Sequence, residues 1–238
     1  MKSLDARLSA VARRVPPGHV VADIGTDHAL LPIHLLSAGI ARRAIGTDVS
    51  PGALTAARRN RARYGFPVDL RLGYGLEPLA PGEADILVLA GMGGQTVAEV
   101  LGEGLVVVSA LELMVVQPQK DLAQFRRWAG ETGFACLAED IIQDNRRLYN
   151  VLVLAPQVEM RPVPWDPSDT GAEHEVTAEL LLNPSDILAS YLRRRRRVRL
   201  EVAHSLQRVQ PEQARFHRQV AAAIGRAIRS VGGTAESK

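Results

Sequence analysis

The sequence predicts an α/β fold, in which a doubly wound, mostly parallel sheet ends in an antiparallel β-hairpin and is followed by a C-terminal helical hairpin. Two observations predict the sheet: five short apolar runs alternate with helix-length segments, and two further runs are separated only by a polar turn. A third observation predicts the helical hairpin, because apolar residues recur at three- and four-residue steps from Val176 onward.

The helices and strands of the α/β part can be assigned in order along the chain. The first is an amphipathic helix with Ser3 as its expected N-cap and Pro16–Gly18 as its end. The expected strands are HVVADIG, RAIGTDV, VDLRLG, ADILVLAG and LELMVVQP. The segments PGALTAARRNRARYG and DLAQFRRWAGETG each end in a glycine suited to a helix C-cap, so both are expected to be crossover helices.

The C-terminal third departs from this alternation. FACLAEDIIQDN and RLYNVLVLAP flank a turn at 144–146 and predict a β-hairpin. The proline-rich segment 158–171 then indicates a domain boundary, so we expect domains at 1–159 and 160–238. In the second domain, two amphipathic helices that meet near Pro211 predict an antiparallel coiled-coil hairpin of roughly 50 residues.

Composition excludes several classes of protein. Of 238 residues, 46% are hydrophobic and 23% charged, which is typical of a globular chain. The single Cys136 cannot form an internal disulfide or a thiolate cluster, and the six scattered histidines predict no metal site. No apolar run approaches the ~18 residues of a membrane span, and the N-terminus lacks a signal-peptide core. We therefore expect a cytoplasmic protein without a membrane partner. A monomer is expected as a separate matter.

The net charge of +3 conceals a difference between the two expected domains. Residues 1–159 carry 16 Lys+Arg against 17 Asp+Glu, whereas residues 160–238 carry 13 against 9, and residues 190–229 alone carry 11 against 2. Such asymmetry favours a nucleic-acid partner, although a solvated arginine-rich helix is the alternative.

The arginine run 193–197 spans more than one helical turn, so its side chains cannot all face one partner. Phosphate contacts are expected from Arg193, Arg194, Arg196 and Arg197, extended into a basic rim by Arg199, Arg208, Arg215 and Arg218.

The first strand ends in the most informative segment, Asp23–Ala29, with the sequence DIGTDHA. Ligands of open α/β sheets bind at the carboxyl ends of strands, and Gly25 lets the backbone approach a ligand closely. The G-x-G-x-x-G fingerprint is absent, since Asp27 and Ala29 stand where further glycines would be, and this disfavours a pyrophosphate. A cationic sulfonium with an amino-acid tail would suit Asp23 and Asp27.

The next three strands end in comparable features. Asp48 follows the second strand and suits hydrogen bonding to two ribose hydroxyls. The loop Gly73–Gly75 after the third could cover an adenine ring, and Ala90–Gly94 after the fourth can bring its backbone close to a substrate. Each aspartate alone could be a helix cap or loop ligand, but four consecutive strand ends together predict one binding site.

Two resemblances follow from these residues. A parallel sheet that finishes in a β-hairpin resembles the class I methyltransferase topology over residues 19–157. The segments ADIGTDHALLP, LAGMGGQTVAEVL, VVQP and LYNVLVL resemble the bacterial tRNA adenine-N1 methyltransferases that modify position 22, a similarity that spans nearly the whole chain. It implies S-adenosylmethionine as methyl donor, a Rossmann-like catalytic domain, and a coiled-coil domain that helps to grip tRNA.

The resemblance also implies roles for individual residues: Asp27 lies beside the reactive methyl group and the loop 91–94 lies near the target base. The residues expected at the cofactor are Asp23, Gly25, Thr26, Asp27, His28, Asp48, Val49, Gly73, Tyr74, Gly75, Ala90 and Gly91. Those expected at the substrate, besides the four arginines, are Met92, Gly93, Gly94 and Gln117.

Asp27 is the expected catalytic residue. Methyl transfer depends mainly on positioning, and adenine N1 already carries a lone pair, but the methylated ring is cationic. A carboxylate within reach of the exocyclic amine would stabilise that charge. The alternative is that Asp27 only binds cofactor or caps a helix. His28 could act as a general base, or could simply order the loop.

One position departs from the family pattern. Members commonly carry an acidic residue where this chain has Tyr74, so Tyr74 would have to contact the adenine, or Glu77 replace the missing acid. Two other functions therefore stay open: methyl transfer to another RNA site or a small molecule, and RNA binding without catalysis at a degenerate cofactor site.

Overall fold

The computed structural model describes residues 4–145, 147–157, 159–164, 174–182 and 184–231. The helices in these ranges are α1 (Ala6–Arg13), α2 (Leu30–Ser37), α3 (Pro51–Tyr64), α4 (Gly94–Glu103), α5 (Leu105–Val108), α6 (Leu122–Thr132), α7 (Ala178–Leu181), α8 (Asp186–Leu206) and α9 (Pro211–Ser230). The strands are β1 (His19–Ile24), β2 (Ala41–Asp48), β3 (Asp69–Leu72), β4 (Ile86–Ala90), β5 (Leu113–Gln117), β6 (Phe134–Asp144) and β7 (Arg147–Pro156).

The seven strands form one sheet in the order β3-β2-β1-β4-β5-β7-β6. Strands β1 to β5 run parallel, while β7 pairs antiparallel with both β5 and β6. The predicted α/β class is therefore confirmed, with each of the five expected parallel strands and the terminal hairpin in place. Arg146, part of the expected hairpin turn, lies outside the described residues.

Helix ends follow the local chemistry of the sequence with one difference. The carboxylate of Asp5 caps α1 by accepting the backbone N–H of Leu8 at 2.7 Å, whereas the expected cap, Ser3, lies outside the described residues. The crossover helices α3 and α6 end as predicted at Gly65 and Gly133, which adopt left-handed conformations with φ of 75° and 105°.

Both faces of the sheet are covered, as expected for parallel strands. Side chains of β4 alternate between the two layers: Leu87 and Leu89 belong to the core beneath α4 and α6, and Ile86 and Val88 belong to the core beneath α1 and α2. This two-residue period explains why β4 reads as a continuous apolar run in the sequence.

The C-terminal helices α8 and α9 pack as the predicted antiparallel hairpin. Nη1 of Arg199 on α8 lies 3.1 Å from Nδ1 of His217 on α9. Leu188 and Leu192 of α8 share a core with Ile224 of α9. That core also includes Ile141 and Leu148 from the β6–β7 hairpin, so the helices rest on the end of the sheet. The apolar stripe does not stay buried along its whole length, since the side chains of Ile187, Val198 and Val209 are exposed.

Buried charges connect these helices to the sheet. Glu139 of β6 accepts hydrogen bonds from Arg126 of α6, from Asn150 at 2.6 Å and from Thr177 at 2.8 Å. Arg126 also donates to the backbone oxygens of residues 174 and 175, at 2.8 and 2.9 Å. The network thus joins α6 and the β-hairpin to the chain that leads into α7.

Glu175 extends the network to α8. Its carboxylate is almost fully buried and accepts hydrogen bonds from Arg199 and from Nε of Arg195 at 3.0 Å. Burial alone would raise the pKa of Glu175, but the two guanidinium groups outweigh that effect and hold the pKa below its ordinary value. Arg195 and Arg199 therefore stabilise the packing of α8 against the segment that contains Glu175.

In the described part of the chain, no helix is both long enough and apolar enough to cross a membrane.

We predict that Glu175→Gln lowers the free energy of unfolding by about 3 kcal/mol, because it leaves two partly buried guanidinium groups without a counter-charge. Since the folded pKa of Glu175 is depressed, the carboxylate stabilises the protein above pH 4.5, and this contribution is lost as pH falls. Urea denaturation at pH 7 and at acid pH measures both effects. Glu201→Gln, which breaks an exposed ion pair with Arg197 on the same helix, should cost less than about 1 kcal/mol. Equal losses in the two variants would contradict the prediction.

Candidate functional site

A cleft of about 320 Å³ opens where β1 and β4 end. These strands are neighbours, but the chain leaves β1 towards β2 and β3 on one side and returns through β4 on the other, which creates a crevice at the carboxyl edge. The loops after β1 and β4 line it together with Arg7 and Leu8 of α1 and with Gln119. Eight of the residues predicted to lie at the site line this cleft: Asp23, Gly25, Thr26, Asp27, His28, Ala90, Gly91 and Met92.

Asp23 is a buried carboxylate in the wall of the cleft. It accepts a hydrogen bond from the hydroxyl of Thr26 at 2.7 Å and is 5% exposed. Burial raises the pKa of Asp23 to about 7; the charge of Asp48 adds to the rise, and Thr26 and Arg7 oppose it. A cation bound in the cleft would favour its ionised form.

The loop after β1 has a backbone that is unusual for its residues. Gly25 has φ of 68°, and Asp27 and Ala29, which stand where glycines were sought, also have positive φ, of 52° and 54°. A side chain at Gly25 would meet the terminal methyl of Met92 at 2.4 Å. The backbone of this loop can therefore approach a ligand as closely as a glycine-rich turn does, and the loop also carries the Asp27 carboxylate.

Asp27 and His28 lie at the mouth of the cleft. Their side chains are 68% and 54% exposed, and Oδ2 of Asp27 is 3.5 Å from Nε2 of His28. The backbone oxygen of His28 accepts a hydrogen bond from Asn60 at 2.9 Å, which ties the loop to α3. The Asp27 carboxylate is accessible to a ligand, and it does not cap α2, whose N-cap is Ala29.

Asp48 holds the two neighbouring loops in place. Its carboxylate accepts the backbone N–H of Asp27 at 2.9 Å and of Ser50 at 2.8 Å, and its backbone oxygen accepts that of Gly73 at 3.1 Å. The following residue, Val49, is exposed. These bonds bring the ends of β1, β2 and β3 together, while Asp48 and Val49, both predicted to contact the cofactor, do not line the cleft itself.

The loop Gly73–Gly75 does not line the cleft. Tyr74 and Gly75 border a separate hollow of about 210 Å³ beside Val100 and Glu103. The carboxylate of Glu77 accepts the backbone N–H of Tyr74 at 3.3 Å. Glu77 therefore shapes the loop that carries Tyr74.

The loops after β4 and β5 are joined by backbone hydrogen bonds. The N–H of Gly91 donates to the oxygen of Gln117 at 3.2 Å, that of Gln119 to Met92 at 2.8 Å, and that of Gly94 to Lys120 at 3.0 Å. A side chain at Gly94 would lie 2.8 Å from the backbone oxygen of residue 121.

These contacts place three of the predicted substrate residues away from the cleft. Gly93 packs against the Lys120 side chain, and Gly94 is buried beneath the β5 loop. Gln117 is fully buried. All three support the shape of the edge, and none of them lines the cleft.

Sequence reasoning missed Arg7. Its Nη1 donates to Oε1 of Gln117 at 2.9 Å, and the side chain lines the cleft and acts on Asp23. A signal was present, since Leu4, Arg7, Leu8 and Val11 follow the i, i+3, i+4, i+7 spacing of one helix face. An arginine in that packed face indicates a buried partner.

The four arginines predicted to contact RNA lie on α8, away from the cleft walls. Arg193, Arg194, Arg196 and Arg197 are exposed and border a hollow of about 550 Å³. The expected basic rim needs one correction: Arg199 is 16% exposed and binds Glu175, so it does not belong to the rim. Within the described ranges, no group of three or more His, Cys, Asp or Glu residues could hold a metal ion.

The chain is similar to known methyltransferases. The family model described as "Methyltransferase domain" matches residues 4–152. The tRNA (adenine(22)-N(1))-methyltransferase of Bacillus subtilis (strain 168) is 35% identical over 152 residues, which are 63% of this chain and 64% of that protein. The match thus spans less than two thirds of the relative's own length.

Two solved structures match over almost the whole chain. The crystal structure of the Bacillus subtilis m1A22 tRNA methyltransferase is 26% identical with a TM-score of 0.78, covering 97% of this chain and 99% of that one. A Streptococcus pneumoniae protein in complex with S-adenosyl-L-methionine is 26% identical with a TM-score of 0.74, covering 96% and 99%. The resemblance predicted from the motifs is confirmed, and the chain belongs to the methyltransferase domain family.

Proposed function

We propose that this protein transfers a methyl group from S-adenosylmethionine to N1 of an adenine in tRNA, at position 22. One observation carries the proposal: the cleft at the β1–β4 crevice combines a buried carboxylate, Asp23, with an accessible one, Asp27, in a chain of the methyltransferase domain family. The Bacillus subtilis relative that bears this activity in its name supports the choice of substrate.

The residues of the cleft fit this cofactor. Asp23 is buried with a raised pKa and is suited to the ammonium of an amino-acid tail, while Arg7 on the same wall is suited to its carboxylate. Asp48, between the loops, would take the ribose hydroxyls. When bound, S-adenosylmethionine supplies a methyl group on a positively charged sulfur.

Asp27 is the residue we assign to catalysis. Its exposed carboxylate at the mouth of the cleft can accept a hydrogen bond from the exocyclic amine of the target adenine. Because methylation at N1 makes the ring cationic, this contact strengthens as the reaction proceeds. Tyr74 is proposed to contact the cofactor's adenine in the separate hollow beside Val100, with Glu77 holding its backbone.

The two parts of the chain are proposed to divide the work. Residues 1–159 would carry out methyl transfer, and residues 160–238 would help to bind tRNA through phosphate contacts of exposed arginines on the coiled-coil hairpin. We further propose that the protein acts in the cytoplasm as a monomer.

The proposed activity predicts that tritiated methyl groups pass from S-adenosylmethionine to unmodified tRNA transcripts. Digestion and mapping of the product should find N1-methyladenosine at position 22, and a transcript with guanosine at that position should accept none. Methyl transfer to another nucleoside would contradict the substrate. Calorimetry that finds no binding of S-adenosylmethionine would instead favour an RNA-binding protein without catalysis.

We expect Asp27→Ala and Asp27→Asn to lower kcat about 100-fold while the Kd for S-adenosylmethionine changes less than about threefold, because the carboxylate acts on developing charge in the base. Single-turnover kinetics and calorimetry measure the two quantities. His28→Ala tests the rival base and should lose less than about tenfold. Near-normal turnover by both Asp27 variants would remove the catalytic role.

The raised pKa of Asp23 predicts that cofactor binding releases a proton at a pH below 7. Its pKa of about 7 keeps the free protein mostly protonated at pH 6, and a bound cation favours the ionised form. Calorimetry at pH 6 in buffers of different ionisation enthalpy should find release of nearly one proton per cofactor bound. Asp23→Asn should bind more weakly and release none. Equal release by the two proteins would show that another group titrates.

A further inference from the structure

A second, larger hollow adjoins the cofactor cleft. This groove, of about 640 Å³, is bounded by the loop 118–121 after β5 with the first turn of α6, by residues 147–150 of β7 and by α8. Gln119 lines both the groove and the cleft, so the two hollows share one side chain. Whatever occupies the groove would therefore be adjacent to the group that enters the cleft.

The groove is lined by more cations than anions. Lys120, Arg147 and Arg194 are exposed along its three walls. Asp121 is the one carboxylate among the described lining residues, and it lies 3.9 Å from Nζ of Lys120. Arg195 also borders the groove, but its guanidinium is bound to the Glu175 carboxylate, which it shares with Arg199.

Helix geometry divides the arginine run between two faces of α8. Residues 191, 194, 195 and 198 follow the i, i+3, i+4, i+7 spacing and line the groove. Residues 193, 196, 197 and 200 border the other hollow, which includes no residue of the β5 loop or of β7. Arg194 borders both, whereas Arg193 and Arg196 border only the hollow remote from the cleft.

We propose that the groove binds the sugar–phosphate backbone of the RNA strand next to the target base, with phosphates on Lys120, Arg147 and Arg194. This inference rests on the proposed function. A nucleotide chain places one negative charge at each residue, so it can pair with cations on successive walls while remaining covalently continuous with the base in the cleft. The half-buried Tyr149 beside Arg147 adds an aromatic surface for an unpaired base.

The test compares charge reversals in three places. Lys120→Glu with Arg147→Glu alters the groove alone, Arg193→Glu with Arg196→Glu alters the remote face of α8, and Arg58→Glu with Arg59→Glu makes the same charge change on the exposed surface of α3. Filter binding of unmodified tRNA transcripts over a range of salt concentrations gives Kd and its salt dependence without requiring turnover.

The groove pair should weaken tRNA binding at least tenfold and reduce the slope of log K against log salt by about 2, as expected when two phosphate contacts are lost. Its Kd for S-adenosylmethionine should stay within twofold of the wild type. The α3 pair should leave tRNA affinity within twofold. Circular dichroism confirms that each variant is folded.

Two results would overturn the groove assignment: a groove pair that binds tRNA as tightly as the α3 pair, or a larger loss for the remote pair than for the groove pair. Either can occur while the wild type still methylates tRNA. Failure of the proposed function would appear differently, as a wild-type protein that binds tRNA through the groove but forms no N1-methyladenosine.

Discussion

The pairing of β1 with β4 is the interaction on which the cleft depends. Because these parallel strands are neighbours while their connections run to opposite sides of the sheet, no crossover helix covers their carboxyl ends. The loops that surround the opening are held to one another by backbone hydrogen bonds and by the Asp48 carboxylate. These bonds fix the positions of the strand ends relative to one another.

The second constraint is the position of α8 beside the β5 loop. Since Arg195 and Arg199 bind Glu175, two arginines of a strongly basic helix are used to hold that helix against the sheet. The remaining arginines are oriented as a consequence: Arg194 borders both the groove and the remote hollow, and Arg193 borders only the remote hollow. Charge in this region thus anchors the helix through Arg195 and Arg199, and the exposed arginines are left for the proposed phosphate contacts.

The sheet and the strand-end site were largely predictable because their signals are local. Apolar runs, glycine caps and the polar turn at 144–146 each depend on neighbours in sequence, and the structure agrees with the predicted strands, the two glycine caps and the β-hairpin. Arg7 and Glu175 were not predictable in the same way, since their partners lie 110 and at least 20 residues away. Nor could the sequence alone show that Val198 is exposed or that Tyr74 and Gly75 border a separate hollow, because both depend on how the helices and strands pack together.

The hydrogen bonds from Arg126 to the backbone oxygens of residues 174 and 175 connect the chain on the two sides of residue 159. A boundary drawn at residue 159 separates two regions of different composition, but a protein cut there would leave a buried guanidinium without those carbonyls and would uncover Ile141 and Leu148 on the β-hairpin. Contacts across this boundary therefore stabilise both regions. Recombination that exchanged the helical region for another would have to supply new acceptors for Arg126 and a new apolar cover for Ile141 and Leu148.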